Sequence, residues 1–232
     1  MHARRVYKLA VIHALLGSTL LVLGLASAGL PRGILLAGSG IGFLGVSVAY
    51  FCHWPGFFGK TRNGRILLTS YVLFAPYHLL NWLSLALHRL VFREPAYSEI
   101  LPGCYPGGRL FPWEAARLLE REVCSVLDLT CELSETRRLR ELRAYFCVPL
   151  LDRSAPSPDE LEIALDFLRQ RAGKGPVYVH CALGHGRSAA VLAAWLAASG
   201  QAGSGEEAVE LIRARRPSVR LSSAQKQMLE RG

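Results

Sequence analysis

The chain carries the run His180-Cys181-Ala182-Leu183-Gly184-His185-Gly186-Arg187-Ser188 directly after the apolar triplet Val177-Tyr178-Val179. A cysteine and an arginine separated by five residues, between a buried strand and a helical segment, predict a cradle for a tetrahedral oxyanion. The spacing lets the backbone N–H groups of Ala182, Leu183, Gly184, His185, Gly186 and Arg187 wrap one phosphate. The loop also opens onto a helix N-terminus, where the dipole favours anions. Gly184 and Gly186 allow the dihedral angles of such a tight nest. Arg187 closes the ring as a planar, always-charged fork that can hold two phosphate oxygens at once. Cys181 is placed at the floor, facing the phosphorus.

An ordinary thiol titrates near about 8.5, so only roughly 3% is thiolate at pH 7. The helix dipole, the ring of N–H donors and Arg187 all favour the anion. Ser188 is expected to donate to the sulfur and make it a better leaving group when a phospho-cysteine is hydrolysed. His180 is expected to orient the strand end and the thiolate through its ring N–H. A lone cysteine at the end of an apolar strand is most often an inert core residue. The complete string of strand, His-Cys, two loop glycines and Arg-Ser is hard to obtain that way. A sulfur-transfer loop is the chemical rival, but it is usually one residue shorter before its basic residue and lacks the Arg-Ser pair.

The segment from His180 to Ser188 resembles the signature loop of the cysteine-dependent protein tyrosine phosphatase superfamily, in its compact dual-specificity branch. Val126-Leu127-Asp128-Leu129-Thr130 resembles that branch's early central strand, and Val148-Pro149-Leu150-Leu151-Asp152 the segment carrying its general acid. Arg216-Pro217 followed by Gln225 resembles its closing helices. The resemblance implies phosphate monoester hydrolysis through a phospho-cysteine, without metal or cofactor. It also implies that Asp152, 29 residues before Cys181, protonates the leaving oxygen and then, as carboxylate, activates water. The alternative for Asp152 is a turn cap, although Ser157-Pro158-Asp159-Glu160 already supplies the next helix start. Asp128 and Glu132 are expected to hold strand-end and loop geometry. His185 points, on the family pattern, toward the substrate mouth, or else is a solvent-exposed loop residue. It is the only extra cationic possibility inside the cradle, where relatives that favour polyanionic inositol lipids often carry lysines.

Charge divides the chain. Residues 1–93 hold nine Lys and Arg and no Asp or Glu, whereas 94–232 hold eighteen of each sign. Basic residues interleaved with long apolar runs indicate a membrane partner rather than nucleic acid. The uncharged stretches 9–28 and 33–52 are each long enough to cross a hydrocarbon core about 30 Å thick. With Gly-Leu-Pro-Arg-Gly at 29–33 as the turn, they predict a helical hairpin whose Gly38, Gly40, Gly42 and Gly45 permit close approach. A cleaved signal peptide ending near Ala26-Ser27-Ala28 is the alternative. The stretch 66–92 is interrupted by Pro76, His78, Asn81 and His88, and is expected to be interfacial or re-entrant. Its segment 72–77 is similar to the leader of mitochondrial phosphatidylglycerophosphate phosphatases in this branch. Arg4, Arg5 and Lys8 before the first span, and Lys60, Arg62 and Arg65 after the second, place both flanks on the cytoplasmic side. The six cysteines lack the spacing of a disulfide framework, which fits a reducing compartment.

The expected architecture is therefore a membrane region over 1–93 and an α/β catalytic domain over 94–232, a mostly parallel sheet flanked by helices. Strands are predicted at 99–101, before 109, and at 123–129, 145–150 and 176–181. Helices are predicted at 112–122, 134–143, 159–171, 188–199, 205–215 and 222–230. The function expected first is a multi-pass phosphatase of a bacterial inner membrane, facing the cytoplasm and acting on phosphotyrosine, phosphoserine or phosphothreonine in proteins. The alternatives are a phospholipid head-group phosphatase, such as one for phosphatidylglycerophosphate, and a membrane scaffold that only binds phosphorylated partners.

Overall fold

The two uncharged runs form α1 (Arg4–Ala26) and α2 (Pro31–Phe51). The computed structural model describes residues 4–27, 29 and 31–231, so Ala28 and Leu30 of the expected cleavage site and turn lie outside the described residues. Among the described residues, α1 and α2 are the two helices long and apolar enough to cross a membrane. Glycine sets their spacing. A Cβ on Gly40 would lie 2.6 Å from the Leu21 backbone nitrogen, and one on Gly17 would lie 2.8 Å from the Gly40 oxygen. Gly42 and Gly45 instead approach Leu73 and Phe74, and Gly38 faces open space. The base of the hairpin is packed: Ala10, Ala49 and Tyr50 join Phe58, Phe74 and Tyr77 in a cluster with Cys131 and Leu151.

The third apolar stretch is two helices, α3 (Leu68–Leu73) and α4 (Ala75–Phe92), broken at Phe74. Pro76 sits at the second position of α4, where a backbone N–H has no helical partner to lose. One face of α4 buries Tyr77, His78 and Leu85. Its other face exposes Leu79, Leu83, Leu87 and Leu90. A helix with a packed inner face and an outward leucine row is suited to lie on a lipid surface.

Four strands follow: β1 (Cys104–Gly108), β2 (Ser125–Thr130), β3 (Ala144–Leu150) and β4 (Val177–Cys181), in the order β1-β4-β2-β3. Every neighbouring pair is parallel. Pro106 and Pro149 fall in the two edge strands, where a missing N–H costs least. Between and after the strands come α5 (Pro112–Leu119), α6 (Arg137–Arg140), α7 (Pro158–Arg171), α8 (Arg187–Ala198), α9 (Gly205–Arg215) and α10 (Ser223–Leu229). Leu127, Leu129, Val177, Val179 and Cys181 face a core shared with α7, α8 and α9. Val126 and Tyr178 face the opposite core, with α5 and α6. The fold is the expected one, a parallel sheet flanked by helices.

Two expected elements are corrected. Residues 97–101 make isolated antiparallel bridges to Gly107 and Cys104 rather than a strand, because the chain reverses at Gly103, whose φ is +74°. The basic helix expected at 134–143 is the single turn α6. The preceding residues are held as a loop by a tertiary bond, Glu135 N–H to Gly64 O at 2.9 Å, and a local one, Cys131 N–H to Glu132 Oε2 at 3.0 Å.

Packing also crosses residue 93. The connection after α2 closes as an antiparallel bridge between Lys60 and Ile66. It delivers Lys60 into the sheet-and-helix body, where Nζ lies 2.6 Å from Asp128 Oδ2, both side chains fully buried. Tyr145 and Thr130 donate to the same carboxylate. Removing one partner of a buried pair leaves an uncompensated charge and costs about 3–5 kcal/mol. Lys60→Met in the full chain is expected to lower the apparent Tm by roughly 10 °C or more. An unchanged melting curve in detergent would show that Asp128 does not need Lys60.

Candidate active site

β4 ends at Cys181 and α8 begins at Arg187, so the sheet fixes one end of the loop and the helix the other. Gly184 has φ +78°, and a Cβ there would collide with the Gly107 backbone of β1. Arg216, buried, braces the loop from behind: Nε donates to Gly184 O at 3.0 Å, Nη2 to Leu183 O at 2.9 Å and Nη1 to Pro95 O at 2.9 Å. Gln225 ties the neighbouring loops, donating to Ser154 O at 2.8 Å while its Oε1 accepts from Ser222 N–H. The bracing roles of Arg216 and Gln225 could not be read from local spacing, although both stood in segments singled out by resemblance.

Cys181 is buried, with Sγ 3.5 Å from Ser188 Oγ. Burial alone would push its thiol up. The Arg187 charge, the Ser188 hydroxyl and the backbone N–H groups of Ser188 and Gly184 outweigh that and hold it below the ordinary thiol range. Buried Cys104 is pushed up to about 12 by its burial, and Cys147 likewise by burial and the Asp128 charge, against which Lys60 and Tyr145 do not prevail. Burial that raises these thiols is overcome at Cys181.

Arg187 is also buried, and its grip is specific. Nη2 donates to Glu132 Oε1 at 2.6 Å and Nη1 to Glu132 Oε2 at 2.9 Å, while Nη1 also donates to Leu150 O at 2.9 Å. Its Nε has no hydrogen-bond partner among the described residues. Burial would raise the Glu132 carboxyl, but Arg187 overcomes it and holds the group below the usual carboxylate range. Glu132, expected only to shape its loop, therefore sets the plane of the guanidinium. Asp152 Oδ1 lies 3.2 Å from Arg187 Nη2 with its side chain half exposed, which brings the expected acid to the same cleft.

His180 is placed elsewhere. Successive side chains of a strand point to opposite faces, so with Cys181 on one face the His180 ring lies on the other. Its Nε2 is 2.7 Å from Glu135 Oε2 and 3.8 Å from Asp128 Oδ1. Its only link to Cys181 is Nδ1 at 3.3 Å from the Cys181 carbonyl oxygen. The ring thus reaches Cys181 through its main-chain oxygen and not its sulfur, and its other nitrogen anchors the strand end within the buried Lys60–Asp128 network. Burial would lower His180, but Asp128 and Glu135 raise it above its ordinary value.

His185 lines the cleft, with Nε2 2.7 Å from Glu94 Oε2. Burial outweighs Glu94 and holds its imidazole below the ordinary value, which favours the neutral ring. His88, Glu94 and His185 bring one ligand atom each within 4.8 Å of one another, as do Asp128, Glu135 and His180. The latter set is already engaged with Lys60. Cys181, Ala182, Leu183, Gly186 and Arg187 line a cleft of about 810 Å³. Its far wall comes from α1 (Lys8, Leu9 and Ile12) and α4 (Asn81, Ser84 and Leu85).

The family described as dual specificity phosphatase, catalytic domain, matches residues 115–231. The chain belongs to this family. Phosphatidylglycerophosphate phosphatase PTPMT1 of Arabidopsis thaliana is 32% identical over 133 residues, 54% of this chain and 38% of that protein, so the chain spans well under half of that relative. Among solved structures, Tk-PTP in the active form is 26% identical with a TM-score of 0.52, covering 59% of this chain and 95% of that one. PTPMT1 in complex with PI(5)P is 24% identical with a TM-score of 0.52, covering 59% and 94%. A mouse putative dual specificity phosphatase complexed with zinc tungstate, 19% identical with a TM-score of 0.53, shares the fold over 60% and 86%. The last two likenesses concern the fold alone.

A nucleophilic thiol reports itself in pH dependence. The acidic limb of kcat/KM is expected to lie below the ordinary thiol range, activity being lost as pH falls through the Cys181 value. Ser188→Ala removes one donor to the anion and moves that limb to higher pH. A limb unmoved in Ser188→Ala would remove Ser188 from the set that tunes the thiol.

Proposed function

We propose that this phosphatase is anchored in a bilayer by the α1–α2 hairpin and hydrolyses the phosphate monoester of a lipid head group. The carrying observation is the composition of the cleft: one wall is the phosphate loop, and the other is the end of an apolar hairpin and an interfacial helix. A soluble phosphoprotein would have to enter between them, whereas a lipid head group rises from the surface on which α4 exposes its leucines. The name of the Arabidopsis relative supports the same substrate class. The basic flanks at Arg4, Arg5 and Lys8 and at Lys60, Arg62 and Arg65 support a cytoplasm-facing catalytic body.

In the proposed reaction the Cys181 thiolate attacks phosphorus, and the bond from phosphorus to the ester oxygen breaks. Asp152, as the acid, gives its proton to the departing alkoxide. The phospho-cysteine is then hydrolysed: Asp152 as carboxylate takes a proton from water, the oxygen bonds to phosphorus, and the sulfur leaves as thiolate. Ser188 stabilises that thiolate. Loop N–H groups and the unpartnered Nε of Arg187 hold the equatorial oxygens, where charge develops in the transition state.

The full chain in mixed micelles containing EDTA is expected to turn over phosphatidylglycerophosphate with a higher kcat/KM than a panel of phosphopeptides. Better turnover of the peptides would return the enzyme to the protein phosphatases. Cys181→Ser is expected to lose about 10⁴-fold or more in kcat, and undiminished turnover would overturn the phospho-cysteine route. Asp152→Asn should lose about 10²–10⁴-fold on an alkyl phosphate and far less on an aryl phosphate, whose leaving oxygen needs little protonation. Equal losses on both would remove Asp152 as the acid.

A further inference from the structure

The cleft is larger than its chemistry at Cys181 requires. At about 810 Å³ it has the size of a site for a whole small ligand rather than for one phosphate. Both Nη atoms of Arg187 are fixed by Glu132 and a main-chain oxygen, which leaves only Nε for the monoester. Three further cations line the same cleft, each from a different element: Lys8 from α1, Arg153 from the loop after β3, and Arg220 from the loop after α9. Among the described residues none of the three forms an ion pair with a carboxylate, unlike Lys60, Arg109 and Arg187. Arg220 is held in place by the backbone: its Nη1 donates to Pro217 O at 2.6 Å and to Val219 O at 2.9 Å, and its N–H donates to His185 O. Arg153 occupies the left-handed region at φ +63°, unusual for a residue with a side chain, immediately after Asp152. The acids that line this cleft, Glu132 and Asp152, both already contact Arg187. The rim therefore carries an excess of positive charge that the monoester itself does not use.

We propose that Lys8, with Arg153 and Arg220, forms a second anion subsite, which binds the phosphodiester of a glycerophospholipid while its terminal phosphate monoester lies over Cys181. This rests on the lipid reading above and narrows it to lipids that bear both groups. The diester carries one permanent negative charge and has no position over the sulfur, so it is held and not hydrolysed. Lys8 is the specificity residue of the three because it comes from the first turns of the anchor helix. The membrane anchor thereby contributes to the active site a side chain that the catalytic sheet and its helices do not supply.

The test uses the full chain in mixed micelles with three substrates: p-nitrophenyl phosphate, phosphatidic acid, which has a monoester and no diester, and phosphatidylglycerophosphate, which has both. Lys8 is exposed, so Lys8→Ala is expected to fold. Lys8→Ala should raise KM for phosphatidylglycerophosphate about tenfold with kcat within roughly twofold, the size expected for one charge-assisted contact partly open to solvent. Its kinetics on the other two substrates should not change, and Lys8→Arg should restore most of the loss. Equal losses on all three substrates, or none on phosphatidylglycerophosphate, would overturn the subsite while leaving lipid hydrolysis standing. Wild-type turnover of p-nitrophenyl phosphate with neither lipid hydrolysed would overturn the lipid reading and the subsite with it.

Discussion

The two-pronged bond between Arg187 and Glu132 is the interaction around which the rest of the catalytic body is arranged. A guanidinium taken out of water needs a partner of matching geometry, and a carboxylate that meets it with two parallel bonds supplies one. Glu132 can do so only because its own position is fixed: the Cys131 N–H donates to Oε2 at 3.0 Å, and the buried His78 ring on α4 lies 3.1 Å from the Glu132 carbonyl oxygen. The line from α4 to Glu132 to Arg187 is continuous. The helix with the outward leucine row is thus mechanically joined to the phosphate grip, and the grip in turn sets the charge that keeps Cys181 acidic.

Much of this was legible in the chain, for a physical reason. The loop at 180–188 is contiguous, so its spacing carries its geometry, and the strands at β2, β3 and β4 announce themselves by their apolar runs. Asp152 was accessible only through resemblance, because a carboxylate across a cleft leaves no local signature. The side that His180 takes follows from the strand itself: neighbours on a strand face opposite ways, so a histidine next to a loop-facing cysteine turns to the other core. Lys60 was invisible because it was one of nine cations in a segment without acids, and nothing local marks the one that will be buried. Cations around the cleft were not legible from the loop alone. Burial holds His185 below its ordinary value, and the positive rim comes from residues 8, 153 and 220, which only folding brings together.

The buried ionic cluster behind the sheet and the paired ions at the loop divide the labour. Lys60, Asp128, Glu135 and His180 satisfy one another on the face turned away from the cleft, and they fix where β2 and β4 end. Arg187, Glu132 and Asp152 occupy the face turned toward it. The separation turns Arg187 and Asp152 toward the cleft, while the Lys60 charge still reaches Glu132 and helps to hold its carboxyl down. It also explains how a sheet of four short strands can carry so many buried charges: each is held by direct partners rather than by solvent.

The crossing of Lys60 into the catalytic body has a consequence for biogenesis. Its ammonium must reach Asp128, and Asp128 is synthesised 68 residues later. In a bilayer, a chain whose second helix inserted with the wrong sense, or failed to insert as a pair with the first, would leave Lys60 across the lipid from its counter-ion. The sheet made afterwards would then close on an orphaned carboxylate. With the anchoring proposed above, an error of membrane insertion would in this way become an error of folding.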